Sequence, residues 1–259
     1  MERQLKDHLK QLMAKGGVDG VIALRKERDM AKPYLFTSAD ELEDVCLEPK
    51  YPMASVVRLL QGEFPEASFA VVCRGCDERA ILELAKRNQV RDDRLTIVGV
   101  ACDKETATAC NCAKPYTVSV DIGEPLADWE AERLYEDYKQ MSQDEKLAFW
   151  KYQLEKCNKC YGCRNACPMC FCKDCELENA LWVKHGRLPP EFPIYHMIRA
   201  FHLAGKCIAC GECEQACPAG IPLMVLNRLL REDMEELFGF VSGEDKATEN
   251  PLYTKEEME

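Results

Sequence analysis

The sequence predicts two structural classes in succession: an α/β domain, and after it a mainly α-helical domain rich in cysteine. Three observations predict this. Short apolar runs alternate with helical stretches up to about residue 125. Charged and aromatic residues without a Gly or Pro then fill 126–156. Beyond them a cysteine block beginning at Cys157 recurs at Cys207 with the same internal spacing.

Residues 1–14 place Leu5, Leu9, Leu12 and Met13 on one face of a short amphipathic helix, which "KGGVDG" ends. From "VIAL" to "RLTIVGVACD" the apolar runs have strand length. Ser38 and Glu41 in "SADE" form a capping-box pattern that opens a helix. "SFAVVCRGCDERAILELAKRNQV" predicts strand, cysteine-bearing turn and helix, and "LTIVGVAC" predicts the next buried strand. Residues 1–125 are therefore expected to form the α/β domain and 126–156 a helical linker, whose Ser142 and Glu145 cap a helix running into Cys157. The second domain is expected over 157–241. The polar stretch 242–259 has little to bury and is expected to be a tail that stays flexible or orders on a partner.

Hydrophobic residues make up 47% of the 259, enough for real cores. The first ten residues, MERQLKDHLK, show no secretory signal, and the longest apolar runs fall far short of a bilayer span. The expectation is a cytoplasmic protein without a transmembrane segment. In that compartment disulfides are disfavoured, so 17 cysteines point to bound metal. The net charge of −11 is spread along the chain, which repels phosphate backbones and argues against nucleic-acid binding. It suits docking on a basic partner or plain solubility. Walker A, G-x-S-x-G and H-E-x-x-H motifs are missing. The four histidines, His8, His185, His196 and His202, do not cluster in sequence, and packing or exposure accounts for them, with His185 closest to the cysteines.

The strongest signal is the repeat itself: Cys157-x2-Cys160-x2-Cys163-x3-Cys167-Pro168, then Cys207-x2-Cys210-x2-Cys213-x3-Cys217-Pro218. Three thiolates at x2 spacing wrap one face of a 4Fe-4S cubane, and the fourth crosses to the other cluster in two-cluster ferredoxins. That rule assigns Cys157, Cys160, Cys163 and Cys217 to one cluster and Cys207, Cys210, Cys213 and Cys167 to a second. Zinc is the competing reading, but its modules usually pair two Cys-x2-Cys knuckles. Forty residues separate Cys167 from Cys207, and the insert looks helical. With "HLAGKCIACGECEQACPAGIP", this resembles the α-helical ferredoxin module of heterodisulfide-reductase-type and fumarate-reductase-type iron–sulfur subunits.

In the first domain Cys73, Cys76 and Cys102 follow strands, and Cys110 and Cys112 come shortly after. Loops at the carboxyl ends of neighbouring strands lie side by side, so these thiols can converge. A third 4Fe-4S cluster on Cys76, Cys102, Cys110 and Cys112 is expected, with Cys46 and Cys73 in reserve. The bland alternative is that small buried thiols pack the sheet. Cys170, Cys172 and Cys175 remain. With Cys73 or Cys46 they would suffice for a fourth centre, iron–sulfur or zinc, between the domains. Alternatively they form a reduced, packed turn. Lys159, Arg164, Lys173 and Lys206 lie near cysteines in sequence, where they would raise cluster potentials or guide docking, although each alone also reads as a solvated side chain.

"CRGCDERAILELAKRNQV", "IVGVACD", "CRNACPMCFCKDC" and "HLAGKCIACGECEQACPAGIP" together resemble iron–sulfur subunits related to the beta subunits of deazaflavin-dependent hydrogenases and formate dehydrogenases. The resemblance covers about residues 35–245. It implies an electron-transfer subunit, without a substrate of its own, that relays single electrons between a flavoprotein and another redox partner. Such subunits occur with hydrogenase, formate dehydrogenase, heterodisulfide-reductase-like and electron-bifurcating complexes of anaerobes. The related beta subunits carry flavin, whereas no Gly-rich dinucleotide fingerprint is present here. The alternative reading is a reductase subunit with its own FAD in the α/β domain, taking hydride from a nicotinamide or deazaflavin donor.

Overall fold

A computed structural model of the 259-residue chain describes residues 1–112, 114–129 and 135–252. The described residues divide into two compact units. One comprises 1–129 with 243–249, and the other 135–242 with 250–252. Of the predicted linker and tail, residues 130–134 and 253–259 lie outside the described residues.

The first unit is built on a mixed sheet. Helix α1 (Glu2–Lys15) precedes strands β1 (Gly20–Glu27) and β2 (Met30–Phe36), an antiparallel hairpin from Val21 opposite Phe36 to Glu27 opposite Met30. Pro33 is tolerated in β2 because the strand lies at the sheet edge, where its missing N–H costs no ladder bond. A 3₁₀ helix (Ala39–Asp44) follows, where the Glu41 carboxylate accepts the backbone N–H groups of Thr37 (2.9 Å) and Ser38 (3.2 Å). The capping pattern thus opens a short 3₁₀ helix, which leads straight into the short β3 (Val45–Cys46).

After α2 (Met53–Glu63), strand β4 (Phe69–Arg74) pairs in parallel with β1, and β5 (Leu95–Val100) pairs in parallel with β4. The sheet order is β2-β1-β4-β5, with β3 antiparallel to β1. Every residue of β4 is buried, which is why "FAVVC" reads as an unbroken apolar run rather than an alternating one. Helix α3 (Gly75–Lys86) begins at the residue after β4, and α4 (Lys104–Ala109) follows β5. Leu5 and Leu9 of α1 are wholly buried against Val21, Ala23, Phe36, Val98 and Ile122. Such burial is worth about 1.5–3 kcal/mol per side chain. Glu83 of α3 is 0% exposed. It pairs with Lys86 at 3.1 Å and with Arg87, and accepts the Gly243 N–H at 2.8 Å. That bond fastens 243–249 into this unit, so part of the polar C-terminal segment is held by a buried acceptor.

The second unit holds α5 (Glu136–Gln140), α6 (Gln143–Glu155), α7 (Gly162–Asn165), α8 (Ile194–Leu203), α9 (Glu212–Gln215) and α10 (Leu223–Phe238). The predicted linker is helical at α5 and α6, but residues 124–126 and 129 are irregular and 127–128 form a turn. At the start of α6, Ser142 N–H donates to Glu145 at 2.7 Å and Glu145 N–H donates to Ser142 Oγ at 3.3 Å, completing the reciprocal cap. Ser142 and Glu145 therefore hold the first turn of α6, the helix whose far end leads into the first cysteine block. Among the described residues no helix is long and apolar enough to cross a membrane.

Candidate metal centres

The two cysteine loops of the second unit share one backbone conformation. Lys159 and Tyr161 flank Cys160 with φ of 53° and 59°, and Ala209 and Gly211 flank Cys210 with φ of 52° and 79°. Three of these four residues are not glycine, and the left-handed region costs such a residue about 1–2 kcal/mol. The chain accepts that cost twice at equivalent places. Its effect is to turn backbone N–H groups toward sulfur: Lys159 N–H donates to Cys157 Sγ and Gly162 N–H to Cys160 Sγ, both at 3.4 Å. The Ala209 N–H does the same for Cys207. Inward N–H groups of this kind stabilise negative charge on a thiolate and on any cluster it holds.

Each loop then enters a one-turn helix, α7 or α9, and these pack against each other. The turns that follow also match: Cys170 N–H donates to Cys167 O, and Gly220 N–H to Cys217 O, both at 3.1 Å. Gly162 permits the close approach, since a Cβ there would stand 2.8 Å from the Ala216 carbonyl oxygen.

This packing brings thiols of one loop to the other. Burial pushes the Cys157 thiol up, and the charges of Cys163, Cys217 and Cys160 push the same way. Cys163 is likewise raised by burial, opposed by Arg199, and sits within reach of Cys217 and Cys160. In the second loop burial raises Cys207, and Cys167 is the nearby cysteine charge. Cys213 is pushed up to about 12 by burial, with Cys167, Cys207 and Cys163 adding to it. Cys210, between them in sequence, is buried. Leu154, Ala209, Ile221, Leu223 and Met224 wrap Cys157, Cys163, Cys213 and Cys217 in an apolar shell. Thiols this buried are costly to ionise unless metal or donors compensate, so the donor set suits a cluster.

Arg199 was not singled out by the cysteine spacing. Its guanidinium is buried on α8, donates to the Cys163 carbonyl at 3.0 Å, and leaves Nε without a partner among the described residues. Burial disfavours its charge, but Cys167, Cys213, Cys170 and Cys163 outweigh that and hold it firmly protonated. A sequence signal does exist. Tyr195, Arg199 and Leu203 fall at helical spacing on the buried stripe of α8, where an arginine needs a reason. His196 beside it is buried, and burial, followed by Arg199, lowers its pKa to about 4.

In the first unit Cys76, Cys102, Cys110 and Cys112 are all buried. Cys76 opens α3, Cys102 follows β5, Cys110 ends α4 and Cys112 lies two residues on. Burial pushes Cys102 up to about 11, and Cys112 and Cys110 are the cysteine charges that raise it further. Cys112 also acts on Cys76. Cations face the set: Lys50 Nζ donates to Cys110 Sγ at 3.2 Å, and Arg79 to Cys112 Sγ at 3.6 Å. Gly75 lets the loop carrying Cys112 settle on the start of α3, because a Cβ there would collide with the Tyr116 carbonyl oxygen and stand 2.8 Å from that of Lys114. Cys73 is 0% exposed within β4, opposite Gly99, and Cys46 is buried in β3. Both thiols are enclosed in the sheet of their own unit.

Cys170, Cys172 and Cys175 line one cavity of about 230 Å³ in the second unit, together with Arg164, Lys173, Arg199, His202 and Lys206. His185 is absent from its lining. Among the described residues no three His, Cys, Asp or Glu side chains close on a single-ion position, in this cavity or elsewhere.

Paired loops of this build, with inward N–H groups and four cysteines each, suit 4Fe-4S binding of the ferredoxin kind. Residues 202–222 match the 4Fe-4S binding domain family. Over most of its length the chain is related to the beta subunits of F420-dependent formate dehydrogenases. It is 24% identical to F420-dependent formate dehydrogenase subunit beta of Methanocaldococcus jannaschii, over 95% of this chain and 93% of that one. It is 26% identical to F420-dependent formate dehydrogenase 1 subunit beta of Methanococcus maripaludis, over 91% and 89%. The aligned stretches, 356 and 345 positions, exceed the 259 residues present here, so both relatives carry internal segments that this chain lacks.

Proposed function

We propose that this chain is the electron-transfer subunit of a multisubunit anaerobic oxidoreductase, passing single electrons between a flavoprotein subunit and a second redox partner. The partner is of the formate dehydrogenase, hydrogenase or heterodisulfide-reductase-like kind, and electron bifurcation is one setting for such a relay. Cys157, Cys160, Cys163 and Cys217 hold one 4Fe-4S cluster. Cys207, Cys210, Cys213 and Cys167 hold the second, and Cys76, Cys102, Cys110 and Cys112 hold a third in the α/β unit. When bound, the clusters supply one-electron storage. The chain's own residues set the potentials through N–H groups on sulfur, burial and nearby charge.

The observation that carries this reading is the matched pair of loops, whose left-handed residues aim N–H groups at sulfur while Cys217 and Cys167 each stand among the thiols of the opposite loop. The test is anaerobic purification of the full chain with iron, sulfide and flavin quantitation, and EPR of the dithionite-reduced protein. At least about twelve iron atoms, four from each of these three cubanes, with spin coupling between the ferredoxin pair, is the expected result. A colourless, iron-free protein would overturn the reading. Stoichiometric FAD would make the chain a flavin-containing reductase subunit instead.

A further inference from the structure

The cavity beside the ferredoxin loops is not used by the relay described above. Cys170 and Cys172 occupy the places that Gly220 and Pro222 hold in the second loop, where the same turn carries no thiol. The matched fold of the two loops therefore gives no structural reason for cysteine there. With Cys175, these residues line a cavity of about 230 Å³. That is room for about seven or eight waters, at about 30 Å³ each.

Four cationic side chains line the same space: Arg164, Lys173, Arg199 and Lys206. Arg164 is bound to Glu178 and also reaches the Cys175 sulfur. These four cations supply counter-charge for an anionic cluster held by the three cysteines. The lining also includes His202 from α8, exposed at the mouth, with no hydrogen bond or ion pair among the described residues. Glu178 is engaged by Arg164, which leaves the His202 imidazole as the donor available to complete a set of four.

The size and spacing choose the occupant. A structural zinc sits about 2.3 Å from each sulfur and draws its ligands onto one point. Among the described residues no single-ion position is formed here, and a cavity of about 230 Å³ exceeds what one ion fills. A cubane holds its ligands at separate corners and fills such a space. We infer that Cys170, Cys172, Cys175 and His202 form a further iron–sulfur site within the second unit, next to the cluster that Cys167 serves. The inference rests on the ferredoxin reading of the paired loops and adds to it. It removes any need for Cys73 or Cys46, which lie enclosed in their own sheet. The Cys170 sulfur lies within hydrogen-bond reach of Cys167, so the new centre adjoins the electron path rather than standing apart from it.

The test begins with the unaltered protein, purified anaerobically. Cys160 and Cys172 are both exposed, so either would be alkylated readily as a free thiol. Iodoacetamide followed by peptide mass spectrometry should find both protected, and both reactive after iron is stripped with a chelator. If Cys160 is protected while Cys172 and Cys175 react at once, the inference is overturned and the ferredoxin reading stands. If Cys160 also reacts at once, the ferredoxin reading itself fails. The C172S/C175S double variant should lose about four iron atoms per chain and keep the EPR signals of the other clusters. Unchanged iron, or loss of zinc in its place, would overturn the site. H202C should keep the iron content but move the EPR signal of this centre, and an unmoved signal would remove His202 from the ligand set and overturn the assignment.

Discussion

Arg199→Met is the most informative single change, because one buried charge stands near thiols assigned to both ferredoxin clusters. Methionine is unbranched and shorter than arginine but fills much of the same space, so most of the side chain's volume is kept while its charge is removed. A unit charge about 7 Å from a cluster, at an effective dielectric constant of about 20, interacts with an added electron by about 2.4 kcal/mol. At 59 mV per tenfold change for a one-electron couple, that is about 100 mV. Removing the cation disfavours the reduced form, so both potentials should fall. The Cys163 carbonyl also loses a charged donor at 3.0 Å, which costs stability of about 1–3 kcal/mol. Arg199→Lys keeps the charge and separates the two effects: its potentials should stay within about 30 mV of the parent, about half a decade in equilibrium. The assay is an EPR-monitored redox titration of the anaerobically purified full chain. If the methionine variant shifts neither cluster by as much as about 20 mV, or shifts them upward, the electrostatic reasoning is wrong.

The remaining predictions concern ligands and anchoring. Cys217→Ser should extinguish the EPR signal of the cluster held by Cys157, Cys160 and Cys163, although it lies in the other motif. A loss of signal confined to the cluster at Cys207 would show that each motif closes on itself. Cys102→Ser should remove about four iron atoms and leave the ferredoxin signals unchanged, since these belong to another unit. Gly75→Val should have the same effect indirectly, by pushing Tyr116 and Lys114 away from the start of α3, and iron analysis would detect it. Glu83→Ala breaks a buried ion pair and should destabilise the first unit by about 3–5 kcal/mol in urea denaturation. It should also speed tryptic cleavage after Lys246, because Gly243 loses its buried acceptor. Cleavage at the parental rate would mean that 243–249 is held by something other than Glu83.

The alternation of apolar runs exposed the α/β region because a buried parallel strand such as β4 must be apolar along its whole length. The hairpin of β1 and β2 was less legible. Its second strand, MAKPYLF, carries a Lys and a Pro, which interrupt an apolar run but are at home on an edge. The Ser142–Glu145 cap was plain from four residues, since both of its hydrogen bonds are local. The Ser38–Glu41 pattern was equally plain, yet it opened only a short 3₁₀ helix before β3. Capping chemistry starts a helix but does not decide its length.

By itself the sequence determined the chemistry of the cysteines. Spacing of two and three residues sets which thiols can share one side of a cluster, and a repeat reveals that the arrangement occurs twice. The ferredoxin rule named Cys217 and Cys167 as the thiols that cross, but their approach is made only when the second unit folds and α7 and α9 become neighbours. Nor did cysteine spacing rank Arg199, whose sequence signal is its helical spacing from Tyr195 and Leu203. A buried guanidinium between two cysteine loops and a surface arginine look alike until burial is known. The tertiary structure also gathered Cys170, Cys172, Cys175 and His202 around one cavity, although His202 lies on α8, far along the sequence from the other three. Short-range spacing is a property of the chain, whereas packing across a fold is decided by which surfaces can be buried together.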